Sequence, residues 1–278
     1  MNHNWLLTTN DRTLLQCLML SAGVSEPPPH SRTFRTFGSV LFGHGGEVLM
    51  RKRPLPGENS LVDQLDPKAR GYRHLAFFQD VPKSGFEIAQ SQPFRYQGWV
   101  LGMDGDPPPR ADLDALDPAE AQFVRRNTRG KTVYEAFLNR IMARLVAQGT
   151  TAYSQPTAQG LVDTIQSVLD ETISADFSRF SLWLSSEHFG VVLSHGAPVQ
   201  YRRLGGIKRC PRCSEEAMSE SREGNRVGHP HAEGILVLGG WSSGAPAWET
   251  VPDGTYLIVD RHHSPAVLSA SAPRSEST

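Results

Sequence analysis

Long apolar runs, cysteine and net charge are all scarce in this sequence, and each shortage excludes a class of protein. No apolar run reaches the roughly 18 residues that a membrane-spanning helix requires. Three cysteines among 278 residues are too few for a disulfide framework. With a formal net charge of −1 and a pI near 6.8, the chain has no overall field that would attract nucleic acid or an anionic membrane.

The amino-terminal segment also lacks the features of a secretory signal. Residues 1–12 contain neither a basic lead nor a long apolar region. We therefore expect a cytoplasmic protein whose partners include neither nucleic acid nor a membrane. The 38% hydrophobic and 21% charged residues are typical of a soluble globular chain of one or two domains.

The order of the predicted elements indicates an α+β fold. The first predicted strands are a short opening strand at 5–8, the two strands of the hairpin 37–50 with its glycine turn, and the segments 74–81 and 97–103. The predicted helices cover 12–22, with Asn10-Asp11 as the N-cap, and 112–127, 132–148 and 160–172. The later predicted strands cover 180–185, 190–194, 199–203, 234–238 and 256–260. Strands, helices and strands in succession, without regular βα alternation, favour α+β.

The stretch from Arg73 to Gly105 carries most of the functional information. It reads as two buried strands joined by a loop and a polar link into Gln92-Pro93-Phe94. Asp104-Gly105 is predicted to form a tight turn that ends the second strand.

This stretch resembles half of the active site of the class II glutamine amidotransferases. In that family a His-x-Arg strand precedes a Thr-His-Pro-Phe-like link and a strand that ends in His-Asn-Gly. Here the same order gives Phe77-Phe78-Gln79, Ser91-Gln92-Pro93-Phe94 and Met103-Asp104-Gly105.

Three further landmarks extend the resemblance over nearly the whole chain. Val133-Tyr134-Glu135 stands where the family has Asp-Ser-Glu at a helix start, and residues 248–260 resemble its closing W-x-x-V-P-x-G strand entry. Phe37-Gly38 corresponds to its early glycine-rich strand. The resemblance implies a four-layer αββα sandwich of the N-terminal nucleophile hydrolase type. We expect one domain over 1–266, with a polar insertion at about 205–231 and a disordered tail over 267–278.

The same resemblance implies that the chemistry of the family is lost. The family uses an N-terminal cysteine as nucleophile, whereas this sequence has Asn2 after Met1. Gly105 keeps a backbone N–H for the oxyanion hole, but Asp104 replaces the asparagine donor beside it. Gln79 replaces the arginine that pairs with the glutamine carboxylate, and Val133 replaces the aspartate that receives the substrate ammonium.

We therefore expect a non-catalytic domain that binds a protein partner or a small amino-acid-like ligand. The ligand-binding remnant would comprise the side chains and backbone of Gln79, Gln92, Asp104, Gly105 and Val133. One alternative is an active amidotransferase or amidohydrolase with a rearranged site. Without the resemblance, Gln79 is a polar residue on a half-buried strand and Asp104-Gly105 a plain turn.

The polar insertion contains a candidate metal site. Cys210 and Cys213 form a Cys-x-x-Cys motif, whose two thiolates can converge on one tetrahedral zinc ion. His229 and His231 follow, although structural zinc pairs usually have three to five residues between their histidines. A structural zinc would order this loop and make it an interaction module. The alternatives are a redox dithiol, or ordinary cysteines beside surface histidines.

Two other features receive structural interpretations. Cys17 lies on the apolar face of a predicted helix and is expected in the core. Arg125, Arg126 and Arg129 are interpreted as a solvated helix end, with a grip on a phosphate or an acidic partner as the alternative.

Overall fold

The computed structural model describes most of the chain in thirteen segments. These are residues 3–22, 36–43, 45–54, 70–79, 87–105, 115–151, 154–172, 179–210, 212–213, 228–240, 247–260, 262 and 264–271. Across these segments, no helix combines the length and the apolar character needed to cross a membrane.

Strands dominate the described segments, and four α-helices accompany them. The strands are β1 His3–Thr9, β2 Thr36–Phe42, β3 Val48–Pro54, β4 Arg73–Gln79, β5 Phe94–Tyr96, β6 Trp99–Gly105, β7 Phe180–Ser185, β8 Phe189–His195, β9 Val199–Ile207, β10 His229–Gly239, β11 Glu249–Thr250, β12 Thr255–Asp260 and β13 Pro265–Leu268. The helices are α1 Leu15–Ser21, α2 Pro118–Asn127, α3 Val133–Ala147 and α4 Ala158–Thr172, and a 3₁₀ turn covers Ile88–Gln90.

The strands form two antiparallel sheets. The first has the order β11-β9-β10-β1-β4-β2-β3, and the second has the order β13-β12-β8-β7-β6-β5. Strand β1 lies in the middle of the first sheet, between β10 and β4. Its side chains alternate between two cores, as the period of two along a strand requires: Leu6 faces the second sheet, whereas Trp5 and Leu7 face α1.

Three apolar clusters fill the spaces between four layers. One lies between the sheets, with Leu75 and Phe77 against Trp183 and Leu257. A second packs α3 and α4 on the outer face of the second sheet, and a third packs α1 on the outer face of the first. The α+β class and the αββα layering predicted from the sequence are confirmed.

Most predicted elements are confirmed within a few residues, including the hairpin β2–β3 and helices α3 and α4. Helix α2 begins at Pro118, where Asp117 Oδ1 accepts hydrogen bonds from the amides of Ala119 (2.8 Å) and Glu120 (3.3 Å). Of the helix predicted over 112–127, residues 112–114 lie outside the described residues, and 115–117 precede the helix.

The predicted start of the first helix is wrong. Helix α1 begins at Leu15, without a side-chain cap, and not after Asn10-Asp11. The Asp11 carboxyl group instead accepts from the amide and hydroxyl of Thr13, both at 2.8 Å, which closes a local turn. The Asn10 side chain is bound to strand β10, through His231 O at 2.7 Å and the Glu233 amide at 2.9 Å.

Two further expectations need correction. Asp104 and Gly105 do not form a turn, because they are the last two residues of β6 and pair with Ser181 and Phe180 of β7. The chain is ordered beyond residue 267: β13 pairs with β12, and Ser271 donates to Asp163 from its amide at 2.8 Å. The rest of the predicted tail, 272–278, lies outside the described residues.

A buried arginine holds the helical layer together. Arg140 of α3, only 2% exposed, donates to Glu120 of α2 at 2.7 Å and to Glu171 of α4 at 2.7 Å. Arg144 contacts the same two carboxylates. The network joins three helices through charge-assisted hydrogen bonds.

A second buried arginine joins the two sheets. Arg73, the first residue of β4, donates to the carbonyls of Ser186, Val259 (3.2 Å) and Asp260 (3.3 Å) at the end of the second sheet. Burial lowers the pKa of its guanidinium to about 10.

His74 makes the stability of this fold sensitive to pH. Trp5 Nε1 donates to His74 Nδ1 at 3.0 Å, and burial lowers the pKa of His74 from 6.5 to about 3. Because the unfolded chain binds a proton near pH 6.5 and the folded chain does not, stability falls as pH drops from about 6.5 towards 3. This group alone removes about 2 kcal/mol of unfolding free energy at pH 5.

The measurement is urea denaturation at pH 7.5 and pH 5. His74→Asn retains a side-chain acceptor for Trp5 and does not titrate, so its loss of stability between the two pH values should be smaller by about 2 kcal/mol. Equal losses in the two proteins would contradict a neutral buried His74.

Candidate functional site

Two of the predicted site residues, Gln79 and Asp104, lie at one end of the space between the sheets. Strands β1 and β4 are aligned so that His3 lies opposite Phe78, and Gln79 ends β4 at this edge. Leu75, Phe77 and Val100 belong to the apolar cluster between the sheets. Gln79 lies an even number of residues from Leu75 and Phe77 on β4, and Asp104 lies an even number of residues from Val100 on β6. Strand alternation therefore turns Gln79 and Asp104 towards each other's sheet.

Gln92 connects these two strand ends. Its backbone N–H donates to Gln79 Oε1 at 3.1 Å. Its side-chain amide makes two hydrogen bonds with the backbone of one residue of β6: Nε2 donates to Met103 O at 2.6 Å, and Oε1 accepts from Met103 N at 2.7 Å. Gln92 is only 3% exposed, so this pair of hydrogen bonds is shielded from water.

The register of the sheet explains why a glutamine occupies this position. In the β5–β6 pair, Phe94 lies opposite Leu101, and extending that register by two residues brings Gln92 opposite Met103. Pro93 has no N–H and interrupts the backbone ladder. The Gln92 side chain supplies the donor and acceptor that the next backbone pair would have supplied.

Gly38 of β2 allows the link to pack against the first sheet. A Cβ atom at this position would lie 2.1 Å from Gln92 O and 2.6 Å from Pro93 Cδ. Both distances are far below van der Waals contact, so only glycine fits. The Phe37-Gly38 landmark thus has a physical reason in the position of Gln92-Pro93.

At the end of β6, the side-chain carboxyl group of Asp104 is hydrogen-bonded to the backbone amide of the next residue. Gly105 N–H donates to Asp104 Oδ1 at 2.7 Å. Gly105 has φ +101°, and a Cβ there would lie 2.2 Å from Arg179 O, so the position requires glycine. The backbone donor that the family resemblance assigns to an oxyanion is occupied by the neighbouring side chain.

One other predicted site residue, Val133, is not part of the hydrogen-bonded group described above. Val133 is the first residue of α3, follows the N-cap Thr132, and carries no hydrogen-bonding group in its side chain. Asn2 lies outside the described residues.

Asn4 was not identified from the sequence, although it lies at the same end of the inter-sheet space. It is 2% exposed and has the parity of Leu6, which belongs to the inter-sheet cluster. Its Nδ2 is buried and donates to no group among the described residues. A polar residue at an inward position of a strand pattern was the available signal.

A cleft of about 1200 Å³ adjoins the link on the side of the helical layer. Basic side chains dominate its charged lining, through Lys52, Arg95, Arg126 and Arg129. Among the described residues, the one acidic residue of the lining is Glu135, whose two carboxylate oxygens accept from the amides of Arg129 (3.1 Å) and Gly130 (2.6 Å). Aromatic walls come from Phe94, Tyr96 and Phe123. The cleft is therefore suited to an anion with an apolar part.

Lys52 stands between the cleft and the link. Its Nζ donates to Ile88 O at 3.0 Å and to Ser91 O at 2.6 Å, and lies 5.2 Å from the centroid of the Phe94 ring. Burial lowers the pKa of Lys52 to about 8, against the opposing effect of Glu135. The cleft thus loses a positive charge just above neutral pH.

The Cys/His residues converge on the opposite face of the first sheet, with one change from the prediction. Ligand atoms of Cys17, Cys210, Cys213 and His229 all lie within 4.8 Å of one another. His231 is exposed and is not in this group. Cys17 is buried in the core as predicted, and in addition contacts Cys213, with the two sulfur atoms 3.7 Å apart.

No family model matches the sequence, and a search of curated proteins found no match. Solved structures do match. The chain is similar to a structure described as the allosteric regulatory enzyme of purine biosynthesis, at 11% identity and TM-score 0.56, over 97% of this chain and 49% of that one. It is also similar to a predicted glutamine amidotransferase from Pseudomonas aeruginosa, at 11% identity and TM-score 0.52, over 97% and 96% of the two chains.

A third similar structure is a glutamine aminotransferase class-II domain protein from Silicibacter pomeroyi, at 11% identity and TM-score 0.49, over 97% of this chain and 100% of that one. Identity this low shows the fold alone. The chain has the N-terminal nucleophile hydrolase-like fold of glutamine amidotransferase domains, and the resemblance stated from the sequence is confirmed at that level.

The two hydrogen bonds between the Gln92 side chain and the Met103 backbone should contribute strongly to the stability of the fold. Gln92→Ala leaves the buried N–H and C=O of Met103 without these partners, which should lower the free energy of unfolding by about 3 kcal/mol. Gln90→Ala is the matched control, because this glutamine is exposed on the neighbouring 3₁₀ turn and should change stability by less than about 0.5 kcal/mol. Urea denaturation measures the unfolding free energy of both variants. Equally small losses in Gln92→Ala and Gln90→Ala would argue against a stabilising role for the Gln92 side chain.

Proposed function

We propose that this chain is a non-catalytic domain with an amidotransferase fold, which binds a ligand or a protein partner and does not hydrolyse glutamine. The observation that carries the proposal is the hydrogen bond from Gly105 N–H to Asp104 Oδ1 at 2.7 Å. Amide hydrolysis develops negative charge on the carbonyl oxygen, which needs free donors aimed at it. Here the donor is engaged, and an acceptor group stands beside it.

The size of this effect supports loss of activity. Removing one oxyanion donor typically costs about 3 kcal/mol in the transition state, and a nearby carboxylate adds repulsion. Gln79 adds a second deficit, since a neutral amide cannot form a bidentate ionic pair with a substrate carboxylate. Its Oε1 already accepts from the Gln92 amide. The Asp104 carboxyl group and the Gln79 side chain are both hydrogen-bonded to the backbone, so the proposed ligand would bind at another surface.

The basic cleft is the best-supported place for a small amino-acid-like anion. It lies against the same link that the family uses near its substrate, and Lys52, Arg126 and Arg129 line it. Binding of a phosphate or an acidic partner was the alternative interpretation of Arg125, Arg126 and Arg129, and the position of Arg126 and Arg129 on the lining of the cleft supports it for these two. A protein partner with an acidic side chain would use the same charges.

The first test is incubation of the purified protein with L-glutamine and with a γ-glutamyl anilide. We expect neither ammonia nor chromophore above the buffer rate, for the wild type and for Asp104→Asn. Any turnover that persists unchanged in Asp104→Ala would be attributed to a contaminant. Turnover that copurifies with the protein and disappears in Asp104→Ala would instead establish an active enzyme with a rearranged site.

The second test is calorimetric titration with L-glutamate at concentrations up to about 10 mM, a range that detects millimolar binding. We expect binding that is lost in Arg126→Ala/Arg129→Ala and kept in Arg125→Ala, since Arg125 is on the same helix but does not line the cleft. Affinity should fall as pH rises through about 8, because Lys52 loses its charge there. If neither glutamate nor glutamine binds, the small-ligand form of the proposal is wrong.

A further inference from the structure

Four sulfur and nitrogen ligands converge from three separate elements. Cys17 is on helix α1, Cys210 and Cys213 follow strand β9, and His229 is the first residue of β10. Their ligand atoms all lie within 4.8 Å of one another. Chain segments that are so far apart in sequence have no local reason to place three thiols and an imidazole together.

The one sulfur–sulfur distance that can be compared directly fits tetrahedral coordination. Zinc–sulfur bonds of about 2.3 Å at tetrahedral angles place two thiolates about 3.8 Å apart. Cys17 Sγ and Cys213 Sγ are 3.7 Å apart. A disulfide requires a sulfur–sulfur distance of about 2.05 Å, so these two cysteines are separate thiols in this structure.

Two polar details also point to a ligand. The Cys213 amide donates to Cys210 Sγ at 3.5 Å, an arrangement that stabilises negative charge on the sulfur. His229 Nε2 is buried and has no hydrogen-bond partner among the described residues. A buried imidazole nitrogen without a partner is unfavourable, and coordination of a cation would satisfy it.

The geometry points to a structural zinc site formed by Cys17, Cys210, Cys213 and His229. Three cysteines and one histidine give the closed four-ligand set of structural zinc, with no position left for a substrate. Soft thiolates select zinc over hard cations such as magnesium or calcium. The site is separate from the amidotransferase-like frame, so it does not depend on the function proposed above.

The zinc would add stability to a helix that is too short to form by itself. Helix α1 has seven residues, no side-chain cap, and no acidic residue in its first turn or basic residue in its last. A helix of this length is not stable by itself. The metal would fix α1 to the turn after β9 and to the start of β10, and zinc binding would then contribute directly to folding free energy.

The experiment is metal analysis of untagged wild-type protein purified without added zinc. We expect about one zinc per chain. Cys17→Ser and His229→Ala should each weaken zinc binding roughly 100-fold, as loss of one of four ligands. His231→Ala is the matched control, since this exposed histidine is two residues away from His229 and should leave the zinc content unchanged.

A second measurement keeps the proposal testable if the cysteine variants do not fold. Cobalt substituted into the wild-type protein should show thiolate charge-transfer and tetrahedral absorption bands, and a strong chelator should lower the melting temperature. Metal-free protein whose zinc affinity is weaker than about 10 μM would overturn the proposal. An intact mass two hydrogens lower under non-reducing conditions would overturn it also, because it would show a disulfide.

Discussion

Close approach of the two sheets is the constraint on which the other features depend. Gly102 and Gly239 lie where the opposite sheet presents aromatic rings: an added Cβ would be 2.0 Å from Phe77 Cε1 in one case and 2.4 Å from Trp183 Cζ2 in the other. The absence of side chains there lets large rings fill the inter-sheet space at the density of a protein interior. It also brings the ends of β4 and β6 close enough for Gln92 to connect them.

The proposed function rests on a difference between the backbone frame of the candidate site and its side chains. The parts that persist, Gly38, the Gln92-Pro93 link and Gly105, are positions where the backbone has no room for another residue or where a side chain completes a sheet. Under the proposed function, the two side chains at the substrate-facing positions, Gln79 and Asp104, accept hydrogen bonds from the protein's own backbone. Removal of a substrate-facing group costs the fold little, whereas removal of the frame would cost several buried hydrogen bonds.

The two outer layers are stabilised by different means. On one side, α2, α3 and α4 cover the second sheet and share the buried network of Arg140 with Glu120 and Glu171. On the other side, the only described helix is α1, and the cysteines pack beside it against the first sheet. A helix of seven residues is not stable in isolation, so α1 depends on its packing against the first sheet.

The sequence by itself determined the local elements and their order. Helical periodicity located α3 and α4, alternation located the hairpins, and the order of landmarks identified the fold, because each of these depends on residues close together in the chain. Only the tertiary structure decided that Asp104 Oδ1 accepts a hydrogen bond from Gly105 N–H at the end of β6. The same holds for the hydrogen bonds between the Gln92 side chain and the Met103 backbone. It also decided that the residues grouped with Cys210 include Cys17 and not His231. These depend on strand register and on layers packing across long separations in sequence, which no local pattern encodes.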